Sequence, residues 1–409
     1  MTVHHPTLDD ARRLDAEDPL APLRDRFVPT LPGRIYLDGH SLGRPPAAAQ
    51  DTARALITTE WAHDLVNSWF SRWMRLQHDI GDLLGRHFLG AAPGQVVVTD
   101  STGVNLYKLA RAAVPARPER RLIVCDRGIF PTDRYILEGV AAERGLELRL
   151  VAFDEITGPT PDAVARVVDE RTALVCLSHV DYRSGAIADM AAINAVARSA
   201  GALTLWDLCH SAGAVPVELD ACGADLAVGC TYKYLSGGPG APAFAYVRRP
   251  LQDRLTQPIW GWFGHRDQFA MPQGYDPAPG IRRFLVGTPP VLSLALVEDG
   301  CRLLAEPGIA ALRAKSQALT GLLIELYDAW LAPLGVRLAG PREAALRGGH
   351  VAFAHPAAER FGKALEAEEV IVDVRPPDRL RFGLAPATTS FTEVWTAADR
   401  FRGIAAQMS

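Results

Sequence analysis

A lysine at the exit of a buried strand is delivered to the rim of a sheet, where its amine can react. The run from Asp225 through Leu226, Ala227, Val228, Gly229, Cys230 and Thr231 is apolar and ends at Tyr232, Lys233 and Tyr234. Ser236, Gly237, Gly238, Pro239 and Gly240 follow, so Lys233 sits between a strand and a turn-rich exit. A second apolar run, Ala202, Leu203, Thr204, Leu205 and Trp206, closes on Asp207. The two residues are 26 positions apart, the length of one strand, a crossover and the next strand, which would bring a carboxylate and an amine into one site. Pyridoxal 5′-phosphate (PLP) chemistry needs that pair: an amine for the Schiff base, and a carboxylate to keep the pyridine nitrogen protonated as an electron sink.

Other residues fit around the same pair. Ser101 and Thr102 follow a short strand and open an amphipathic helix; free amides and the positive end of the dipole at such a start can hold a phosphate. Phe130, Pro131, Thr132 and Asp133 open the helix behind the next strand, where an aromatic can cover one face of a flat ring. Thr132 and Asp133 also read as helix caps, and His40 as a turn residue that borders a site. Ser178, like Asp207 and Lys233, ends a strand.

The elements needed to position them alternate strand with helix. Strands are expected over 95–99, 121–125, 148–153, 173–178, 202–207, 225–230 and 244–247. This reads as α/β, a mostly parallel sheet covered by helices, with ligands at the carboxyl ends of its strands. The aromatic-rich stretch 47–89 reads as helix, and 250–290 as loop. From Val291 onward the pattern changes to long amphipathic helices with strands near 350–354 and 379–384, a smaller α+β C-terminal domain. Three parts are expected: 1–50, an N-terminal arm and a segment packing on the small domain; 51–290, the large domain; and 291–409, with a linker at Pro289 and Pro290.

Composition narrows the partners. The 409 residues are 48% hydrophobic and 22% charged, with net charge −4 and pI near 6.3. That balance points to a small-molecule substrate, not to nucleic acid or an anionic membrane. The six cysteines show no paired metal spacing, and His63, His78 and His87 do not share a helix face, so no metal site is expected. Without an apolar signal core or a membrane-length segment, the chain reads as cytoplasmic, with reduced thiols.

Taken together, these segments resemble kynureninase, a fold-type-I PLP enzyme of the aspartate aminotransferase superfamily, over residues 35–386. The resemblance is carried by Leu37, Asp38, Gly39, His40, Ser41, Leu42 and Gly43; by the Phe130 and Asp207 motifs; by Thr231, Tyr232 and Lys233; and by Gly261, Trp262, Phe263, Gly264 and His265. It implies Lys233 in the Schiff base, Asp207 on the pyridine nitrogen and Phe130 on the ring face. It further implies Ser101, Thr102 and Tyr232 on the phosphate, Tyr232 also assisting proton transfer, with cofactor contacts from Pro131, Thr132, Asp133, Ser178, His210, Trp262 and Thr288. Arg381, with Arg375 as rival, would grip the substrate carboxylate, and His40 would border the substrate.

The implied reaction is hydrolysis of the Cβ–Cγ bond of L-kynurenine to anthranilate and L-alanine, in tryptophan catabolism and the kynurenine route to NAD, by a homodimer. Gly287 and Thr288 stand where some members of the family carry Ser and Asn, which bears on acceptance of 3-hydroxykynurenine. Competing readings are a cysteine desulfurase or aminotransferase-like enzyme, and a PLP-binding regulatory module. The first would need a cysteine on a flexible loop and the second a basic DNA-binding partner domain, and neither feature is apparent.

Overall fold

The computed structural model describes residues 5–408; residues 1–4 and 409, at the ends of the first and last expected parts, lie outside them. Seven short strands form the main sheet, and all but the edge strand Glu147–Val151 are built mainly from buried apolar residues that alternate between two cores. They are β1 (Val96–Val98), β2 (Leu122–Asp126), β3 (Glu147–Val151), β4 (Thr172–Ser178), β5 (Leu203–Asp207), β6 (Leu226–Gly229) and β7 (Phe244–Val247). Val124, Val175, Trp206 and Ala227 face one core, while Ile123, Leu174, Leu205 and Val228 face the other. A period of two with both faces apolar requires a helical layer on each side.

The strands join in the order β1-β7-β6-β5-β4-β2-β3. All neighbours are parallel except around β7, which runs against both β1 and β6. The covering helices include α1 (Thr102–Ala113) and α2 (Pro131–Arg144). Gly103 is where these two approach: a Cβ there would stand 3.2 Å from Ile136 Cδ1 and 3.4 Å from Thr132 Cγ2. The parallel strands therefore end together, and in register Ser178 lies beside Asp207, and Asp207 beside Val228.

A third core gathers the C-terminal part of the chain. Four strands, Asp373–Arg375, Arg379–Gly383, His350–Ala354 and Arg337–Leu338, pair antiparallel in that order. Phe353, Phe382 and Phe401 pack beneath them. The cores do not divide at the expected linker. Helix α3 (Val291–Ala305) sends Leu294, Val297 and Cys301 into the core of the large sheet, and α4 (Gly308–Leu326) runs from that core at Leu312 to the C-terminal core at Leu319, Leu323 and Leu326.

The N-terminal segment is tied to the C-terminal part. Ile35–Tyr36 pairs in parallel with Val370–Ile371. Thr7 and Asp10 form a capping box on the helix Leu8–Ala16. From that helix Asp15 accepts the amides of Phe391 and Thr392, at 2.7 and 3.0 Å, where α5 (Phe391–Met408) begins. Asp18 forms a buried ion pair with Lys315 of α4 at 2.6 Å, both side chains being under 5% exposed. Lys315→Met would strand the Asp18 carboxylate in the interior, and should lower stability by about 3–5 kcal/mol, read as a lower urea midpoint at unchanged slope.

Candidate functional site

Lys233 stands in a turn clamped on three sides. Gly237 N donates to Thr231 O at 2.9 Å, Ser236 N to Lys233 O at 2.9 Å, and Thr231 Oγ1 to Pro242 O at 2.7 Å. From the N-terminal segment Gly43 N donates to Tyr232 O at 2.8 Å. Gly43 has no alternative at this contact, because a Cβ there would fall 2.2 Å from Lys233 O. The Lys233 ammonium is thus aimed by backbone; its Nζ lies 3.4 Å from His210 Nε2 and 6.0 Å from the Tyr232 ring centre.

Asp207, at the end of β5, accepts the amide of Cys209 at 2.7 Å, which fixes its carboxylate at the sheet rim. Asp133, from the first turn of α2, is buried beside it. Burial and the adjacent Asp207 charge push the Asp133 carboxyl well above its usual range, so it keeps its proton beside Asp207. Tyr232 also stays protonated, its hydroxyl pushed up by burial and then by the neighbouring Cys230 and Cys209.

These groups surround one cavity of about 320 Å³. Ser101, Thr102 and Gly103 form one end, at the start of α1, where Ser101 Oγ accepts Val104 N at 3.4 Å and leaves the first amides of the helix open. Phe130, Thr132 and Asp133 form a wall, and Asp207, Cys209, His210, Tyr232 and Lys233, with Gly240 and Ala241, the remainder. Phe130 is 37% exposed and meets the Tyr182 ring edge-on at 5.4 Å between centres.

Behind Lys233 lie three buried imidazoles. His40 stacks on His350 at 5.0 Å, and His210 lies 6.0 Å from His40 and 5.7 Å from His350. Burial pushes all three well below the ordinary histidine value, and the Arg381 and Lys233 charges add to it, so all are neutral near pH 7. His40 is wholly buried and packs where a Cβ on Gly383 would come within 1.9 Å of its Nδ1. Arg381 is 1% exposed; its Nε donates to Asp373 Oδ2 at 2.6 Å and one Nη to the Tyr182 carbonyl at 2.5 Å.

Of the residues expected at the site, the cavity wall gathers Ser101, Thr102, Phe130, Thr132, Asp133, Asp207, His210, Tyr232 and Lys233. Others stand apart from that wall. Pro131 is the first residue of α2, Ser178 is the half-buried neighbour of Asp207, His40 is buried beyond His210, and Arg381 is buried against Asp373 and Tyr182. Trp262 and Thr288 lie on the surface, on two segments joined by the bond from Phe263 N to Val286 O at 3.2 Å. Sequence reasoning missed His350, Tyr182 and Asp373. The pair Gly348 and Gly349 before a strand was the available signal for His350: a Cβ on Gly349 would stand 2.6 Å from the Tyr234 hydroxyl.

Comparison with known proteins gives the arrangement its relatives. The profile of the kynureninase C-terminal domain matches residues 312–401. The kynureninase of Pseudomonas fluorescens is 48% identical over 401 residues, covering 96% of this chain and 94% of that protein. That of Burkholderia pseudomallei strain 1106a is 45% identical over 406 residues, covering 97% and 95%. Among solved structures, the cysteine desulfurase of Thermococcus onnurineus NA1 superposes with a TM-score of 0.80 at 19% identity, covering 99% of each chain. A C-DES mutant with glycine covalently linked to its PLP cofactor gives 0.81 at 20% identity, covering 93% and 98%. The structural likeness carries the fold-type-I architecture alone, whereas identity close to half over nearly the whole length carries the family: this chain belongs to the kynureninases.

Proposed function

We propose that the chain hydrolyses the Cβ–Cγ bond of L-kynurenine to anthranilate and L-alanine with PLP as cofactor. The observation that carries this reading is the convergence of Lys233, the Asp207–Asp133 pair and the open start of α1 on one cavity. The donor set fits PLP: amides and hydroxyls at one end for a phosphate, a carboxylate and an amine at the other, and an aromatic between them. When bound, PLP supplies an electron sink that makes the substrate's Cα proton and Cβ–Cγ bond labile.

The residues have separable duties. Ser101, Thr102 and the Tyr232 hydroxyl hold the phosphate. Asp207 takes the pyridine nitrogen, its orientation set by Cys209 N and Asp133. Phe130 and His210 confine the ring, with Thr132, Pro131 and Ser178 shaping the rim. Lys233 moves the Cα proton, and Tyr232, which keeps its proton, returns one to the alanine carbon after anthranilate leaves. Arg381 holds the substrate carboxylate through Nη2, for which no protein partner is found among the described residues.

The reading extends to a homodimer in the cytoplasm. Trp61, Phe70, Trp260, Trp262 and Phe269 are 38–67% exposed, and a second subunit covering them would bring Trp262 and Thr288 to a cofactor site. No helix among the described residues is long and apolar enough to cross a membrane.

Adding L-kynurenine to the PLP-loaded protein should release anthranilate, followed by its fluorescence, with 3-hydroxykynurenine compared in parallel. The ratio of the two rates reports what Gly287 and Thr288 select. No product from protein that binds PLP would discard kynurenine hydrolysis in favour of the desulfurase or aminotransferase reading.

A further inference from the structure

The turn that presents Ser101 and Thr102 is strained and internally braced. Asp100, between β1 and α1, has φ +49°, a left-handed conformation that costs a residue with a Cβ about 1–2 kcal/mol unless its surroundings impose it. They do so from several directions. Ala243 N donates to Asp100 O and Thr99 N to Ala243 O, both at 2.8 Å. Thr99 Oγ1 donates to Asp100 Oδ2 at 3.1 Å, and Asn105 Nδ2 reaches back to Thr99 O at 2.7 Å.

The brace with the largest charge comes from inside α1. Lys108 is fully buried, and its ammonium donates to Asp100 Oδ2 at 2.6 Å and to the Phe284 carbonyl at 2.7 Å. Asn105 and Lys108 are three residues apart, so one helix face grips the strand end from which that helix starts. Phe284 closes the turn Gly280–Phe284, two residues before Val286, which carries the contact to Phe263. One buried cation therefore ties the Asp100 turn to the segment leading to Gly287 and Thr288. A lysine in the interior is retained only where its charge is compensated, and here the compensation is the strained residue itself.

We propose that Lys108 is a positioning residue for the phosphate end of the cofactor site, holding Asp100 left-handed so that the amides at the start of α1 and the Ser101 and Thr102 side chains face a bound phosphate. This rests on the PLP reading above. It is distinct from a purely structural role, because the turn it holds bears on the phosphate and not on the ring or the Schiff-base amine. PLP and pyridoxal, which lacks the phosphate, separate the two.

Equilibrium dialysis of wild type and Lys108→Met against each compound is the test. Lys108→Met should weaken PLP binding about tenfold or more, the loss of one well-made charged contact, while pyridoxal binding stays within about twofold. The double variant Asp100→Gly/Lys108→Met leaves no unpaired charge and a residue at ease with φ +49°, so it guards against loss of folding. It should regain PLP binding toward the wild-type value, since glycine takes φ +49° without the brace while the backbone bond from Ala243 N to position 100 remains. PLP binding within twofold of wild type in Lys108→Met, equal losses of PLP and pyridoxal, or a double variant that binds PLP no better than Lys108→Met, would overturn the proposal. Wild type that binds neither compound would instead overturn the PLP reading.

Discussion

Lys233→Ala should lower anthranilate release by about 10⁴-fold or more while PLP remains bindable and the fold intact. The expectation that folding survives comes from the turn. Its bonds run through the backbone of Thr231, Tyr232, Lys233, Ser236 and Gly237, and the amine adds a 3.4 Å contact to His210 and a place over the Tyr232 ring. The alanine variant keeps every one of those backbone bonds. The expectation that turnover collapses comes from the lack of a second base of the right strength. His210 Nε2 lies 3.4 Å from the amine, but burial and the Lys233 and Arg381 charges hold it neutral and weakly basic. Removing Lys233 lifts one of those charges and lets the His210 value rise. Should Lys233→Ala retain more than about a hundredth of wild-type activity, with a pH profile moved by the variant, the proton-transfer role would pass to His210. Circular dichroism and PLP dialysis on the same sample separate loss of chemistry from loss of the site.

What was legible in the sequence follows from how each side chain is placed. Asp207 could be read because it closes a buried strand, and Lys233 because it lies in the turn just past the end of the next one; strand ends of a parallel sheet meet at one rim. Ser101 and Phe130 could be read because they open helices, a local event with local signals. Asp373 is different. It meets Arg381 through antiparallel register, Asp373 opposite Arg381, and neither strand carries a signal of that pairing. His350 reaches His40 across more than 300 positions of chain, and only the glycines that make room for such contacts hint at them. The boundary near Pro289 and Pro290 followed a real change in sequence character, from loop to long helices. Amphipathic periodicity does not say which core a helix joins, and α3 joins the one behind it.

The two rival arginines separate by burial and by what they already hold, and replacing them should give opposite results. Arg381→Met is expected to raise the KM for L-kynurenine about 100-fold with a smaller change in kcat, the signature of a lost charged grip on the substrate. Arg375→Met should shift KM by less than about threefold, as its side chain is 37% exposed and its Nε already rests on Asp373 Oδ2 at 3.0 Å. Arg381 rests on the same oxygen but is buried, with its guanidinium 5.9 Å from the Tyr182 ring centre and its charge felt by the imidazoles beside Lys233. Low exposure keeps water from screening it, so a carboxylate that pairs with it gains more than one at the surface. The shared oxygen also makes the experiment clean: in Arg381→Met, Asp373 keeps Arg375 as partner and is not left as an unpaired charge. A KM that moves in Arg375→Met and stays fixed in Arg381→Met would assign the carboxylate to Arg375. It would also make Arg381 a strut between the Tyr182 loop and the C-terminal sheet.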